Sequence, residues 1–432
     1  MTEDIIISSG VVSSGIELDA FMTVLSGGTA VNTVVSNGGI LHVYNGGTAK
    51  KTTVLSGGEL TIYIGGTATE TVENGGWVEP LEGEVTFAPH TIHGLQLMDD
   101  GTEREGYASA SIHSGTIVDG ATVSEALLHI SSGGTAKNTM IFSGGELDVC
   151  SDGTMHETVI SSGGSVIVRS GGIAKSIAVF CGGELIVYSG GTASEIIENG
   201  GYVRINDGAV ASFAAFALHD LQLKTCTNTT VHSGTSATGF TVCDIGRLDV
   251  LSGGTAENTT VLSGGVLRVA SGGLAENTSV LSGGIFHIEC GGTATRIRAE
   301  KGAGIFARSV SPDTHVQGVF AGKAFEVKGG ISGCVLIKRG PFDDCDDTDS
   351  PFAEGDTLTV FSGGKAVGLI VSNGGELIVS SGGTAESPII CDGGLLVVHS
   401  GGTALDVRKE EGAKTEINNG AVVTAAASPR SS

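Results

Sequence analysis

Residues 26–44 read SGGTAVNTVVSNGGILHVY, and residue 45 begins the same pattern again with NGGTA. The stretch is one period of a 19-residue repeat, and the period decides the fold. GGTA stands at 27–30, 46–49, 65–68, 133–136, 190–193, 253–256, 291–294, 382–385 and 401–404, with a relaxed GGIA at 171–174. A second Gly-Gly lies between successive GGTA units, so the pairs alternate at spacings of 11 and 8. An aliphatic residue sits three positions before the second pair: Val35, Val54, Ile141, Ile160, Val179, Val261, Val280, Val371 and Ile390. After that pair come apolar residues two apart, such as Leu60 and Ile62, Leu147 and Val149, Leu185 and Val187, Leu267 and Val269, and Leu377 and Val379. A spacing of two puts both on one face of a strand. The residues between them (Thr61, Asp148, Ile186, Arg268 and Ile378) are expected to face outward, and the small Ala of GGTA to fill a tight inner corner.

Each period therefore reads as two short strands separated by glycine turns. Strands of four or five residues bury no core alone, but stacked at fixed intervals they bury one continuously. The expected fold is all-β, a parallel β-solenoid of about 19-residue two-strand repeats. A helical solenoid fails, because glycines in every turn would each cost about 1 kcal/mol.

Composition narrows the function. The 432 residues include 71 glycines, and Lys plus Arg number 23 against 47 for Asp plus Glu, a formal net charge of −24. An acidic chain without a basic run is not a nucleic-acid binder, since phosphate contacts supply most of that affinity. No stretch approaches the roughly 18 apolar residues of a spanning helix, so no membrane insertion is expected. The opening MTEDIIISSG has neither a basic run nor an apolar one, and no Sec-type signal is visible in it.

The arrays are interrupted, and the interruptions resemble one another. HGLQL at 93–97 matches HDLQL at 219–223; IHSGT at 112–116 matches VHSGT at 231–235; ISSG at 7–10 is similar. This gives an opening coil and first array at 1–80, an interruption with an array-opening motif at 81–131, and a second array at 132–203. A second interruption and opening motif follow at 204–251, a third array at 252–298, an irregular acidic insertion at 299–361, and a fourth array with a tail at 362–432. The distances between flanking GGTA units are not multiples of 19, so irregular coils are expected at the breaks.

The consensus SGGTAxNTxVxSGGxLxV resembles the AIDA-type autotransporter passenger repeat, the strand-loop-strand repeat of Gram-negative surface adhesins. The resemblance covers a little over half of the chain. It implies a right-handed β-helix passenger at the bacterial cell surface or outside the cell, with roles in adhesion, autoaggregation or biofilm formation. It implies as partners a host-cell or surface ligand or a second copy of the chain, and a heptosyltransferase that O-glycosylates serines before Gly-Gly. The matching serines are Ser26, Ser56, Ser132, Ser143, Ser162, Ser252, Ser263, Ser282, Ser362 and Ser381. Asn37, Asn45, Asn74, Asn199 and Asn373 hold the same slot and cannot accept sugar in this way.

Other chemistry is sparse. Cys181, Cys290 and Cys391 stand at turns and read as free thiols, while Cys226 with Cys243 and Cys334 with Cys345 are the pairs open to a disulfide. His90 and His93 would face opposite sides of a strand and lack a partner for a metal. The run from Asp343 to Asp349 reads as a solvated acidic loop. The sequons at Asn228, Asn258 and Asn277 read as ladder asparagines. The outward position varies from Thr61 to Ile378 and forms no acidic ladder, so neither catalysis, a cofactor nor a metal is expected. A structural filament and a carbohydrate-active β-helix are the competing functions.

Overall fold

Each period bends three times. In one period, Thr29–Val31 is a strand, Val34–Val35 a second and Ile40–Val43 a third. Between the first two, Asn32 holds φ at 51°, the left-handed region that Asn tolerates best among residues with a side chain. That is the reason for the Asn in TAxNT. In other coils the first two strands merge, as in Thr154–Ile160 and Thr192–Asn199, yet Glu157 (φ 53°) and Glu195 (φ 56°) keep the same bend. The two-strand reading and the three-sided coil are the same path.

The other two corners are glycine turns. The Gly47 amide donates to the Tyr44 carbonyl at 2.8 Å and Gly46 stands at φ 74°, the pattern of a type II turn. The second glycine answers a different demand. A Cβ on Gly47 would lie 2.5 Å from the Val24 carbonyl oxygen of the coil before, so the backbone approach leaves no room for a side chain.

Neighbouring coils pair in parallel with an offset of 19. Thr29 faces Thr48, Val34 faces Thr53, and Ile40 faces Glu59. No helix occurs among the described residues, so the chain is an all-β parallel β-solenoid. The computed structural model describes residues 4–98, 108–131, 133–224, 228–300, 303–310, 315–320, 323–328, 331–338, 357–360, 362–371 and 373–426.

The inside of the coil follows the alternation. Val35, Val54, Leu60, Ile62, Leu147, Val149, Val261 and Leu267 are fully buried, as are Ala30, Ala49 and Ala136 at the tight corner. Burying one Val or Leu side chain is worth about 1.5–3 kcal/mol, so the core ladder outweighs what any exposed pair can add. Thr61 and Asp148 point outward yet are covered, with 2% and 7% exposure.

The chain divides into two units, residues 1–214 and 215–432. The first holds two separate cores, one from Ile7 to Val78 and one from Ile92 to Val203. The first stack closes where Trp77–Leu81 pairs with Glu59–Tyr63. The same wall restarts with Ala108–Ile112, which pairs with Ala126–Ile130. The opening coil of the second stack is long: His90 faces Thr116, 26 positions later.

The second unit has one core, from Leu218 to Ala413. Its parallel pairing is broken within the third interruption. His315–Phe320 pairs antiparallel with Lys323–Lys328, and Gly304–Val310 pairs antiparallel with Ile331–Lys338. These strands pair on, again antiparallel, to Lys365–Val367 and Thr357–Val360, after which the parallel 19-residue register resumes. The run from Asp343 to Asp349, together with Cys226 and Cys345, lies outside the described residues.

One cysteine reading needs correction. Cys391 is buried and disulfide-bonded, not a free turn thiol. Cys243 is a free, buried thiol that donates to the Leu223 carbonyl at 3.5 Å, so it forms no bridge with Cys226. Cys181 and Cys290 are free, as expected. The ladder reading of the sequons holds for one pair: the Asn277 amide donates to Asn258 Oδ1 at 2.6 Å.

Candidate functional site

At the first break, in unit 1, the polar residues of two stacks meet. Glu73 occupies a core slot, opposite the buried Val54 of the coil before. It is fully buried, and four donors from the next stack converge on it. His113 Nδ1 lies 2.7 Å and the Ser111 hydroxyl 3.0 Å from Oε1; the His113 amide lies 2.8 Å and the Thr116 hydroxyl 2.9 Å from Oε2. The Val78 amide donates to Ser111 Oγ at 2.7 Å, and Phe87 stacks on His113 at 4.6 Å. A buried carboxylate is tolerated because its lone pairs are filled. The array-opening motif IHSGT is thus a receptor for the last coil of the preceding stack. Glu198 stands in the equivalent core slot of the second array, opposite Val179, and is also fully buried.

The knot brings two stacks edge to edge, and a groove of about 880 Å³ opens outside it. Trp77 from the closing rung lines it with Ser109, Glu125, Ala126, Leu127, Gly144 and Glu146 from the next stack. Trp77 sits in the outward slot held by Glu59 one rung earlier, and Ser109, Leu127 and Glu146 share the corresponding column of the next stack. Glu125 is held at φ 49° at the bend. An aromatic face beside two carboxylates and a hydroxyl can stack on a ring and accept hydrogen bonds from its hydroxyls.

Beside the groove, Trp77 packs against His129 with ring centroids 5.7 Å apart. His129 faces Asp148 one rung on, with Nδ1 3.8 Å from Oδ2. Burial pushes the His129 imidazole below its ordinary range, against the pull of Asp148, so near neutral pH this contact is not an ion pair. Asp148 is instead held by Arg169, whose Nε lies 2.8 Å from both carboxylate oxygens. Burial, reinforced by Asp148, pushes the Cys150 thiol up.

The serines stand elsewhere, on two glycine corners of the coil. Ser26, Ser56, Ser143, Ser162, Ser252, Ser263, Ser282, Ser362 and Ser381 are all exposed; Ser132 lies outside the described residues. Ser26, Ser252, Ser362 and Ser381 line the corner before GGTA, while Ser56, Ser143, Ser162, Ser263 and Ser282 line the other. Ser170, Ser189, Ser271 and Ser400 are equally exposed at the first corner and carry the same Ser-Gly-Gly signal. His93 is exposed, 3.9 Å from Asp119, and is not gathered with His90 into a metal set.

The model of a family described as the adhesin of a bacterial autotransporter system, probable stalk (AIDA), matches residues 20–76, 129–183 and 355–413. These three segments resemble AIDA-type adhesin stalk repeats. The matches stop at Gly76 and resume at His129, so the matched segments flank the groove and leave Trp77, Ser109, Glu125, Ala126 and Leu127 outside them. Among solved structures the chain is similar to a TibC-catalysed, hyper-glycosylated fragment of TibA. The identity is 28%, over 71% of this chain and 94% of that one, with a TM-score of 0.28. No curated protein matches the chain.

Sequence reasoning missed Glu73 and Trp77. An acid in the slot of Val35 and Val54 was the available signal, followed at once by an aromatic residue in an outward slot otherwise held by Ile40 and Glu59.

Proposed function

We propose that this adhesin-type passenger is displayed at the bacterial surface, where its regular rungs act as a stalk and the groove beside Trp77 takes the ligand. The observation that carries the reading is the groove itself: Trp77, Ser109, Glu125 and Glu146 meet only because two stacks abut out of register. The chemistry suits a surface glycan, with one sugar face on Trp77 and hydroxyls donating to Glu125 and Glu146. The exposed serines at both corners suit O-glycosylation by a heptosyltransferase, which would thicken the stalk.

The test displays the chain on beads or cells and compares Trp77→Ala with the parent for adhesion and for thermal melting. Lost adhesion with retained melting supports the reading. Unchanged adhesion would move binding to the regular rungs or to sugars attached to them.

A further inference from the structure

We propose that His129, Asp148 and Cys150 form a binding site for a borderline-soft divalent metal ion of the zinc type. The parallel register carries the inference. His129 and Asp148 face each other on neighbouring rungs, and Cys150 follows Asp148 by two, so all three project from the same outer wall. One ligand atom from each lies within 4.8 Å of the other two. Tetrahedral zinc with bonds of about 2.0–2.3 Å places its ligand atoms about 3.3–3.8 Å apart. The His129–Asp148 pair, at 3.8 Å, already stands at that separation, and closure asks for about 1 Å of side-chain movement at most.

The donor set selects the ion. One imidazole nitrogen, one carboxylate oxygen and one sulfur suit zinc or cobalt better than calcium or magnesium, which take oxygen ligands. Three protein ligands leave a fourth position for water or an external donor. Arg169 is the competitor, since its guanidinium holds both Asp148 oxygens in the ion-free arrangement. Its side chain is half-exposed and can give up one oxygen while orienting the carboxylate through the other, the usual role of an outer partner. Binding converts the Cys150 thiol to a thiolate with loss of its proton to solvent. Thiolate and carboxylate then balance the two positive charges of the ion.

The molecule carries its own reporter. Trp77 is the sole tryptophan, and its ring lies against His129. The test titrates Co²⁺ into the full chain under reducing conditions, following thiolate-to-cobalt absorption and Trp77 fluorescence. The expected result is one ion per chain seen by both signals. His129→Gln and Cys150→Ser each weaken binding at least tenfold, Cys290→Ser leaves it unchanged, and Arg169→Gln tightens it. Melting without metal checks that each variant is folded. Absence of the thiolate band in the parent, or its persistence in Cys150→Ser, overturns the proposal. So does a fluorescence change that survives in His129→Gln.

Discussion

The regular rungs at 26–64 and the break at 73–116 use the same repeat to opposite ends. In the rungs, backbone groups of a glycine corner are answered by their equivalents 19 residues away, as where the Gly27 amide donates to the Gly46 carbonyl and the Gly46 amide to that of Gly65, both at 2.8 Å. The same backbone pairing repeats from coil to coil, so the wall presents like residues in like places. At the break the equivalent coil is absent, and unlike residues meet: a buried Glu73, the hydroxyls of Ser111 and Thr116, the His113 ring. Regularity supplies stability, and its interruption supplies a distinct surface. The same core slot shows the difference, holding Val54 in one rung and Glu73 in the next.

That slot gives the largest expected effect. Val261→Asp places a carboxylate where Val242 and Val280 pack above and below and no donor waits. It should cost several kcal/mol in chemical denaturation. If Val261→Asp is tolerated, the core slot is not dry and the contrast with Glu73 fails. Next comes Glu73→Ala, which strands four buried donors and should cost about 3–5 kcal/mol. A loss below about 1 kcal/mol would show that the knot is incidental to joining the stacks.

A smaller effect belongs to the corner. Gly46→Ala forces a side chain into the left-handed region beside Ser26 Oγ, at a cost of about 1–2 kcal/mol. Equal melting of parent and variant would remove backbone conformation as the reason for the first glycine. The smallest effect is a pH dependence. The His129 imidazole lies below its ordinary range when folded, so the unfolded chain takes up the proton first. Stability from this group is present above about pH 6.5 and declines as pH falls below it. Between pH 7.5 and 5.5 the parent should therefore lose slightly more stability than His129→Gln; the reverse order contradicts the assignment.

Much of the wall was legible because its rules are local. Period-2 alternation placed Leu267 and Val269 inside, the slot three before Gly-Gly placed Val261, and paired glycines marked two corners. The third corner was harder, since a bend marked by Asn32 is held by Lys51 and Glu70 in the following coils, where stacking overrides local preference. The break was not legible. Glu73 finds its partners 38 to 43 residues ahead, across the start of a new stack, and no periodicity reports such a pairing. The disulfide at Cys391 and the antiparallel strands of the third interruption escaped for the same reason: each depends on contacts outside the repeat.

The central claim is that rungs are interchangeable and the break is not. The direct measurement is adhesion by a variant lacking residues 29–47, in which Gly28 joins Thr48 so that Thr48 takes the place of its own partner, Thr29. One complete rung leaves the first stack, and Glu73, Trp77 and their partners stay. If stability is a sum over neighbouring rungs, the variant melts modestly lower and adheres as the parent does. Loss of adhesion as complete as that of Trp77→Ala would place recognition on the regular wall and contradict the account.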